Sequence, residues 1–245
     1  MCGRYRIKNT EAVDELTRRL FGIPAWATGP LGPRYNIAPS QELPVLAMDE
    51  EGKPVVTRMR WGLIPYWEKE DAPKVRPINA QAESVSTKPM FRQSLQQRRC
   101  LVAADGFYEW RRLDEKTKQP FDIHLSGGRP FFFAGIYEAA TSQRPATYAI
   151  LTTRANELMA TIHSRMPAIL ENEHARRWIT SGGITPENVA ALTEPHPAAD
   201  MEAVPVSPLV NSPAHDVAEC LTPVAALERP VRPPEISGEQ RELLF

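Results

Sequence analysis

Cys2 is the residue whose position most constrains the chemistry of this chain. Removal of Met1 would make it the N-terminus, and an N-terminal cysteine carries a free α-amine beside its thiol. An amine condenses with an aldehyde to an imine, and a thiol one carbon away then closes a five-membered thiazolidine ring. An internal cysteine cannot do this, because its nitrogen is held in an amide. An α-amine titrates at about 7.7–8.0 and a free thiol near about 8.5, so both carry a reactive fraction close to neutral pH.

Four further segments hold groups that could serve such a reaction. Asn79-Ala80-Gln81-Ala82-Glu83 places polar side chains between a proline-rich stretch and a helix. Glu109 lies among Phe107, Tyr108 and Trp110. If it points inward, desolvation raises its pKa and suits it to general acid–base work; if outward, it is an ordinary surface carboxylate. His163 follows an apolar approach and precedes Arg165, Met166 and Pro167. Arg60 to Trp67 combines two Trp, one Tyr and one Arg, with Lys69, Lys74 and Arg76 nearby. Stacking aromatics flanked by cations suit single-stranded nucleic acid, whose bases stack at about 1–3 kcal/mol each. Packed core aromatics around a turn are the plainer alternative.

The bulk properties bound what positions these groups. A chain of 245 residues with 42% hydrophobic and 24% charged content is that of a soluble globular protein with a sizeable core. No apolar run reaches the roughly 18 residues of a membrane span, and the first residues lack a secretory core, so a cytoplasmic location is expected. Cys2, Cys100 and Cys220 are odd in number and lack CxxC spacing, which argues against a disulfide framework or structural zinc; no metal or cofactor is expected. The net charge of −1 is uneven. Residues 1–112 hold 18 Lys and Arg against 13 Asp and Glu, and the remainder 11 against 17. A basic first half is compatible with a phosphate-bearing partner.

Twenty-four prolines, scattered through the chain, disfavour long helices and suit short strands joined by shaped loops. A helix is expected over residues 11–21, with Thr10 as N-cap and Gly22 at its end, and a second from Pro89 to about Arg98. Strands are expected at Leu101–Ala104, Phe107–Trp110, Phe121–Leu125, Pro130–Tyr137, Tyr148–Thr153 and Met201–Val206, with an Asp105-Gly106 turn after the first. Short helices are expected at Ala155–Ile162, Asn172–Ile179 and, capped by Thr185, Pro186–Leu192. Residues 34–39 read as a loop. The pattern is α+β with a β-dominated core in one domain, residues 1–222, followed by a loosely attached tail rich in Pro and charge, residues 223–245.

The ordered set MCGRY, RYNIAP, RWGLIPYW, INAQAE, KPMFR, AADGFYEW and IHSRMP resembles the SRAP (SOS-response-associated peptidase) family of abasic-site processing proteins, over residues 2–167 at least. The resemblance implies bent sheets forming a barrel-like body around a shallow cleft, with peripheral helices. It implies that processed Cys2 forms a thiazolidine with the ring-opened aldehyde of an abasic site in single-stranded DNA, with nucleoid association while engaged. By motif position, Asn79 would hold the Cys2 end and the opened sugar, Glu109 would shuttle protons, and His163 would orient the sugar oxygens and phosphate. Arg4, Trp61, Trp67, Lys88 and Arg165 would contact DNA, and Asn36 and Pro39 would line the cleft edge. The expected form is a monomer without a cofactor. The family usually has Arg where this chain has Gln81, so weaker and less salt-sensitive DNA binding is expected unless another base compensates. Two rival readings remain open: a cysteine peptidase with Cys2 as nucleophile and His163 as base, including removal of its own Met1, and a non-catalytic single-strand binding module.

Overall fold

The computed structural model describes residues 2–68, 76–180 and 182–227. Met1, Lys69, Lys74 and residues 228–245 of the expected tail therefore lie outside the described residues. The chain opens with β1 (Tyr5–Ile7) and α1 (Thr10–Phe21), followed by β2 (Arg34–Ile37), β3 (Glu42–Met48), β4 (Pro54–Trp61) and β5 (Asn79–Gln81). Helix α2 (Pro89–Gln97) leads into β6 (Arg99–Ala104), β7 (Gly106–Arg112), β8 (Lys118–Leu125), β9 (Phe131–Glu138) and β10 (Thr147–Arg154). The last third holds α3 (Glu157–Ala160), β11 (Arg165–Pro167), β12 (Ile169–Leu170), α4 (Asn172–Thr180), α5 (Pro186–Leu192) and β13 (Met201–Pro205).

These strands form two sheets in one α+β domain. A five-stranded sheet runs β13-β8-β7-β1-β2. An eight-stranded sheet runs β11-β10-β4-β3-β6-β9-β12, with β5 added beside β10. Strand β9 also pairs with β10, so the larger sheet curls back on itself into the barrel-like body expected from the sequence. The sheets meet through aromatic edges: Tyr5 packs on Phe133 at 5.8 Å between ring centroids, and Phe107 on the same ring at 6.1 Å. The outer side of the large sheet is covered by α4, whose Trp178 indole N–H lies 3.1 Å from the Cys100 carbonyl oxygen and 3.2 Å from that of Gly135. Strands β6 and β9 are thus buried on both faces, which explains their near-continuous apolar runs. Among the described residues no helix is long and apolar enough to cross a membrane.

Several local expectations are corrected. The cap of α1 is Asn9, not Thr10. The Asn9 side chain accepts from the Ala12 N–H, while its own N–H donates to Asp105 Oδ2 at 2.7 Å. That second bond fixes Asn9 in the capping position and leaves Thr10 as the first helical residue. Gly22 ends α1 in the left-handed conformation (φ 73°), as anticipated. Residues 34–37 form a strand rather than part of a loop, and residues 79–81, for which no element is expected, form another. The first is held by the Asp216 carboxylate, which accepts from the Tyr35 and Asn36 N–H groups; the second runs parallel to β10. The chain past Thr222 stays attached at first, since the Val224 N–H donates to the Pro205 carbonyl at 2.9 Å and Leu227 to the Gln119 side chain at 3.1 Å.

Asp105-Gly106 is not a hairpin turn but the crossing from the large sheet to the small one, because β6 and β7 belong to different sheets. The crossing is held by Arg6, which bonds Asp122 through Nε at 2.7 Å and Nη2 at 2.9 Å, and Asp105 through Nη1. A Cβ on Gly106 would stand 2.4 Å from Arg6 Cζ, so only glycine fits beneath the guanidinium. Overpacking of this kind typically costs about 1–3 kcal/mol. Gly106→Ala should therefore lose stability of that size in denaturant unfolding, and an unchanged midpoint would show that Arg6 can move aside freely.

Candidate active site and nucleic-acid interface

Strand alternation brings the N-terminus into the gap between the sheets. Tyr5 pairs with Phe107 across β1 and β7, and the Tyr108 N–H donates to the Arg4 carbonyl at 3.0 Å, so residues 2–4 continue along β7 beyond β1 itself. Tyr5, Phe107 and Glu109 share the inner face of this sheet by the period of two. On the opposing sheet, β10 pairs Tyr148 with Trp61 and Ile150 with Asn79, which places Trp61, Tyr148 and Asn79 on one face. The two faces touch: the Tyr5 ring packs edge-on to Trp61 at 5.2 Å, and its hydroxyl lies 2.9 Å from that of Tyr148.

Cys2 sits at this junction, fully buried, with its thiol 3.6 Å from the Arg4 carbonyl. Burial pushes the Cys2 thiol well above its ordinary range, and the Glu109 charge pushes it the same way. Glu109, 3% exposed, therefore points inward and lies close enough to act on the thiol. The Cys2 charge also acts on both Tyr5 and Tyr148. Asn79 donates from Nδ2 to the Ile150 carbonyl at 3.4 Å, and its Oδ1 is buried without a hydrogen-bond partner. An orphaned buried acceptor of this kind is costly unless a ligand completes it.

His163 and Arg165 approach β10 from the side opposite Asn79, since Thr152 is paired with Gln81 of β5 and with Pro167 of β11. The Arg165 N–H donates to His163 Nδ1 at 3.0 Å, and the Arg165 carbonyl oxygen lies 3.3 Å from the same nitrogen, so the backbone of Arg165 orients the ring. The described geometry thus brings Cys2 and Glu109 together at the junction, puts Asn79 on the face of the large sheet that carries Trp61 and Tyr148, and puts His163 just ahead of β11 on the other edge of β10.

The residues expected to contact DNA divide into two groups. Trp67 is 44% exposed and packs edge-on to exposed Tyr66 at 5.0 Å; Lys88 is exposed at the start of α2, and Pro39 is half-buried. Trp61 is a core residue instead. Its indole N–H donates to the Ile78 carbonyl at 2.9 Å, and its ring stacks on Tyr148. Asn36 is fully buried and its Nδ2 bonds the carbonyls of Val210, Ser212 and His215, so it fixes a loop rather than lining a cleft. Arg4 donates to Asn36 Oδ1 at 3.1 Å and the Val210 carbonyl at 2.8 Å, and lies over the Trp110 ring. Its charge serves the same loop. Arg165 is paired with Glu83.

Sequence reasoning missed Tyr5 and Tyr148 as neighbours of Cys2. Tyr5 stands three residues from Cys2, out of step with strand alternation, and its partner Tyr148 is 143 residues away, so no local pattern marked either. Among the described residues, Glu171, His196 and Asp200 are the group whose donor atoms lie close enough to hold a metal ion. Arg129, 2.6 Å from Asp200, already supplies positive charge there.

The family model for the SOS response associated peptidase (SRAP) matches residues 1–213. The chain is 41% identical over 224 residues to abasic site processing protein YoaM of Bacillus subtilis, covering 90% of this chain and 97% of that protein. It is 31% identical over 252 residues to abasic site processing protein HMCES of Rattus norvegicus, covering 86% and 70%. A crystal structure of a protein from Bacteroides thetaiotaomicron superposes with a TM-score of 0.76 at 26% identity, covering 91% and 100%. With the match running from the N-terminal cysteine through both sheets, the chain belongs to the SRAP family.

Proposed function

We propose that this protein processes abasic sites in single-stranded DNA by covalent capture, and that Cys2 is the capturing residue once Met1 is removed. The observation that carries the reading is the enclosure of Cys2, one residue after Met1, between two sheets beside a buried carboxylate. The freed α-amine attacks C1′ of the ring-opened sugar, forming a C–N bond. Loss of the carbonyl oxygen as water gives the imine. The thiol then adds to the imine carbon and its proton passes to the nitrogen, closing the thiazolidine. Glu109 is the group placed to move these protons, a role typically worth about 10²–10⁴-fold. Asn79 Oδ1 offers an acceptor to the amine or to the opened sugar, and His163, its ring oriented through Nδ1 by the Arg165 backbone, has Nε2 as its other polar atom.

The peptidase reading is disfavoured by the thiol's surroundings. A nucleophilic cysteine is activated by a lowered pKa, from a neighbouring cation or helix N-terminus. Here burial and a carboxylate raise it. A protonated thiol suits addition to an already activated imine better than attack on an unactivated amide.

Incubation with single-stranded DNA containing one abasic site should give an adduct stable on a denaturing gel. Cys2→Ala should abolish it, and so should blocking Met1 removal while leaving the thiol in place. A stable adduct from Cys2→Ala would put the nucleophile elsewhere.

The raised thiol has its own signature. In the Met1-processed protein, alkylation of Cys2 should keep accelerating with pH beyond about 8.5, the ordinary thiol value. The Glu109 carboxylate disfavours the thiolate, so Glu109→Gln should move that profile to lower pH. A plateau below pH 8 in the unaltered protein would contradict the assigned surroundings.

A further inference from the structure

Arg154 and Arg165 stand directly opposite each other in the β10–β11 ladder, so their side chains leave the same face of the sheet. Like charges in that relation repel and need a counter-charge. Glu83 supplies it. Arg165 donates from Nη1 to Oε1 at 2.7 Å and from Nη2 to Oε2 at 2.8 Å, a bidentate fork on the carboxylate. The hydrogen bonds from Arg165 hold the Glu83 carboxyl below its ordinary range, and the Arg154 charge adds to that pull.

Three observations show that this arrangement is built and yet exchangeable. The backbone is fixed, since the Ala82 N–H and Arg165 Nη2 both donate to the Thr152 carbonyl, at 2.9 and 2.6 Å. The Glu83 side chain is 53% exposed while that of Arg165 is 18% exposed, so the anion can leave and the cation cannot. The fork is also unsaturated: Arg165 Nε is buried with no hydrogen-bond partner. A cavity of about 280 Å³ adjoins the site, lined by Glu83, Ser86, Thr153 and Arg154 among others.

We propose that Arg154 and Arg165 form a two-arginine site for a backbone phosphate of the bound DNA strand, filled internally by Glu83 until the strand arrives. A phosphodiester carries one negative charge and takes the same bidentate fork as a carboxylate. The exchange therefore leaves the charge of the site unchanged and returns Glu83 to water. This inference rests on the reading that the ligand is single-stranded DNA. It makes Glu83 a competitor of the strand, and Arg154 a contact that the sequence motifs did not mark.

The test is non-covalent binding of an undamaged single-stranded oligonucleotide measured against salt concentration. Glu83→Gln, nearly isosteric, should tighten binding several-fold. Arg154→Ala should weaken it and reduce the log–log salt slope by about 0.7, the value for one phosphate contact on a single strand. In the Arg154→Ala background the gain from Glu83→Gln should shrink. Equal or weaker binding by Glu83→Gln would mean that Glu83 merely orients Arg165, and an unchanged slope in Arg154→Ala would remove Arg154 from the interface; either overturns the proposal. Inorganic phosphate should compete no better than chloride at equal ionic strength, and stronger competition would reassign the site to free phosphate. Capture of abasic DNA by the unaltered protein is scored separately. Its failure would count against the covalent reading and leave these binding measurements standing.

Discussion

The buried ion pair of Arg6 with Asp105 and Asp122 is the constraint from which the site follows. Burial works against the charge of Arg6, and Asp122 and Asp105 more than offset it, so the guanidinium stays charged. Burial likewise works to raise Asp122, yet His124 and Arg6 hold it below the ordinary carboxylate range. Such a cluster contributes little net stability compared with a well-packed apolar replacement, but breaking one partner strands a buried charge at a cost of about 3–5 kcal/mol. What it contributes here is register. Arg6 ties β1 to β8 through Asp122 and to the β6–β7 crossing through Asp105, whose other oxygen fixes the start of α1. A strand of three residues near the end of a chain would otherwise fray. With Arg6 fixed on one face, Tyr5 must point to the other, and Cys2 is carried three residues further along the same edge.

Further along the same face, the small sheet repeats the device at lower charge. Tyr108 donates to the Tyr35 carbonyl at 2.6 Å, and Arg4 and Asn36 bind the loop carbonyls that close over it. Residues that resemble DNA contacts by motif thus act here as clamps on the N-terminal strand. A fixed N-terminus is what a reaction through the α-amine requires. Orientation within reach of a reactive partner is worth far more than an extra contact on a mobile tail.

How much of this was legible in the sequence differs by element. Helices α1, α2 and α5, and strands β6 to β10, carry their own periodicity, composition or caps and were readable. Strands β2 and β5 were not, because each is three or four residues long beside prolines and exists only through partners far away, Asp216 and β10. Cys2, Asn79, Glu109 and His163 were proposed from residue type and motif position, and the structure adds that Cys2 and Glu109 are buried and close to each other. Which aromatic was core and which was surface was not readable. Trp61 and Trp67 flank one loop with similar neighbours, and only the pairing of Trp61 with Tyr148 separates them. The Glu83–Arg165 pair spans 82 residues, a relation that composition cannot express.

In the proposed function, the raised thiol and the dependence on a free amine belong to one design. A buried, protonated Cys2 beside a carboxylate is a poor nucleophile toward electrophiles in solution, which protects it from adventitious modification. In the capture reaction proposed above, that inertness is overcome only when the neighbouring amine has bound an aldehyde. The imine carbon is then held within the same residue as the sulfur, and ring closure becomes intramolecular, with effective concentrations that reach about 10⁵–10⁸ M in well-oriented systems. Under that proposal, selectivity for an aldehyde needs no dedicated specificity pocket around the thiol. It arises because the first bond must form at nitrogen, and because the strand pinned by Arg6 keeps that nitrogen and the sulfur in fixed relation to Glu109. Loosening the pin would be expected to expose the thiol and weaken the discrimination together, since both depend on the same buried geometry.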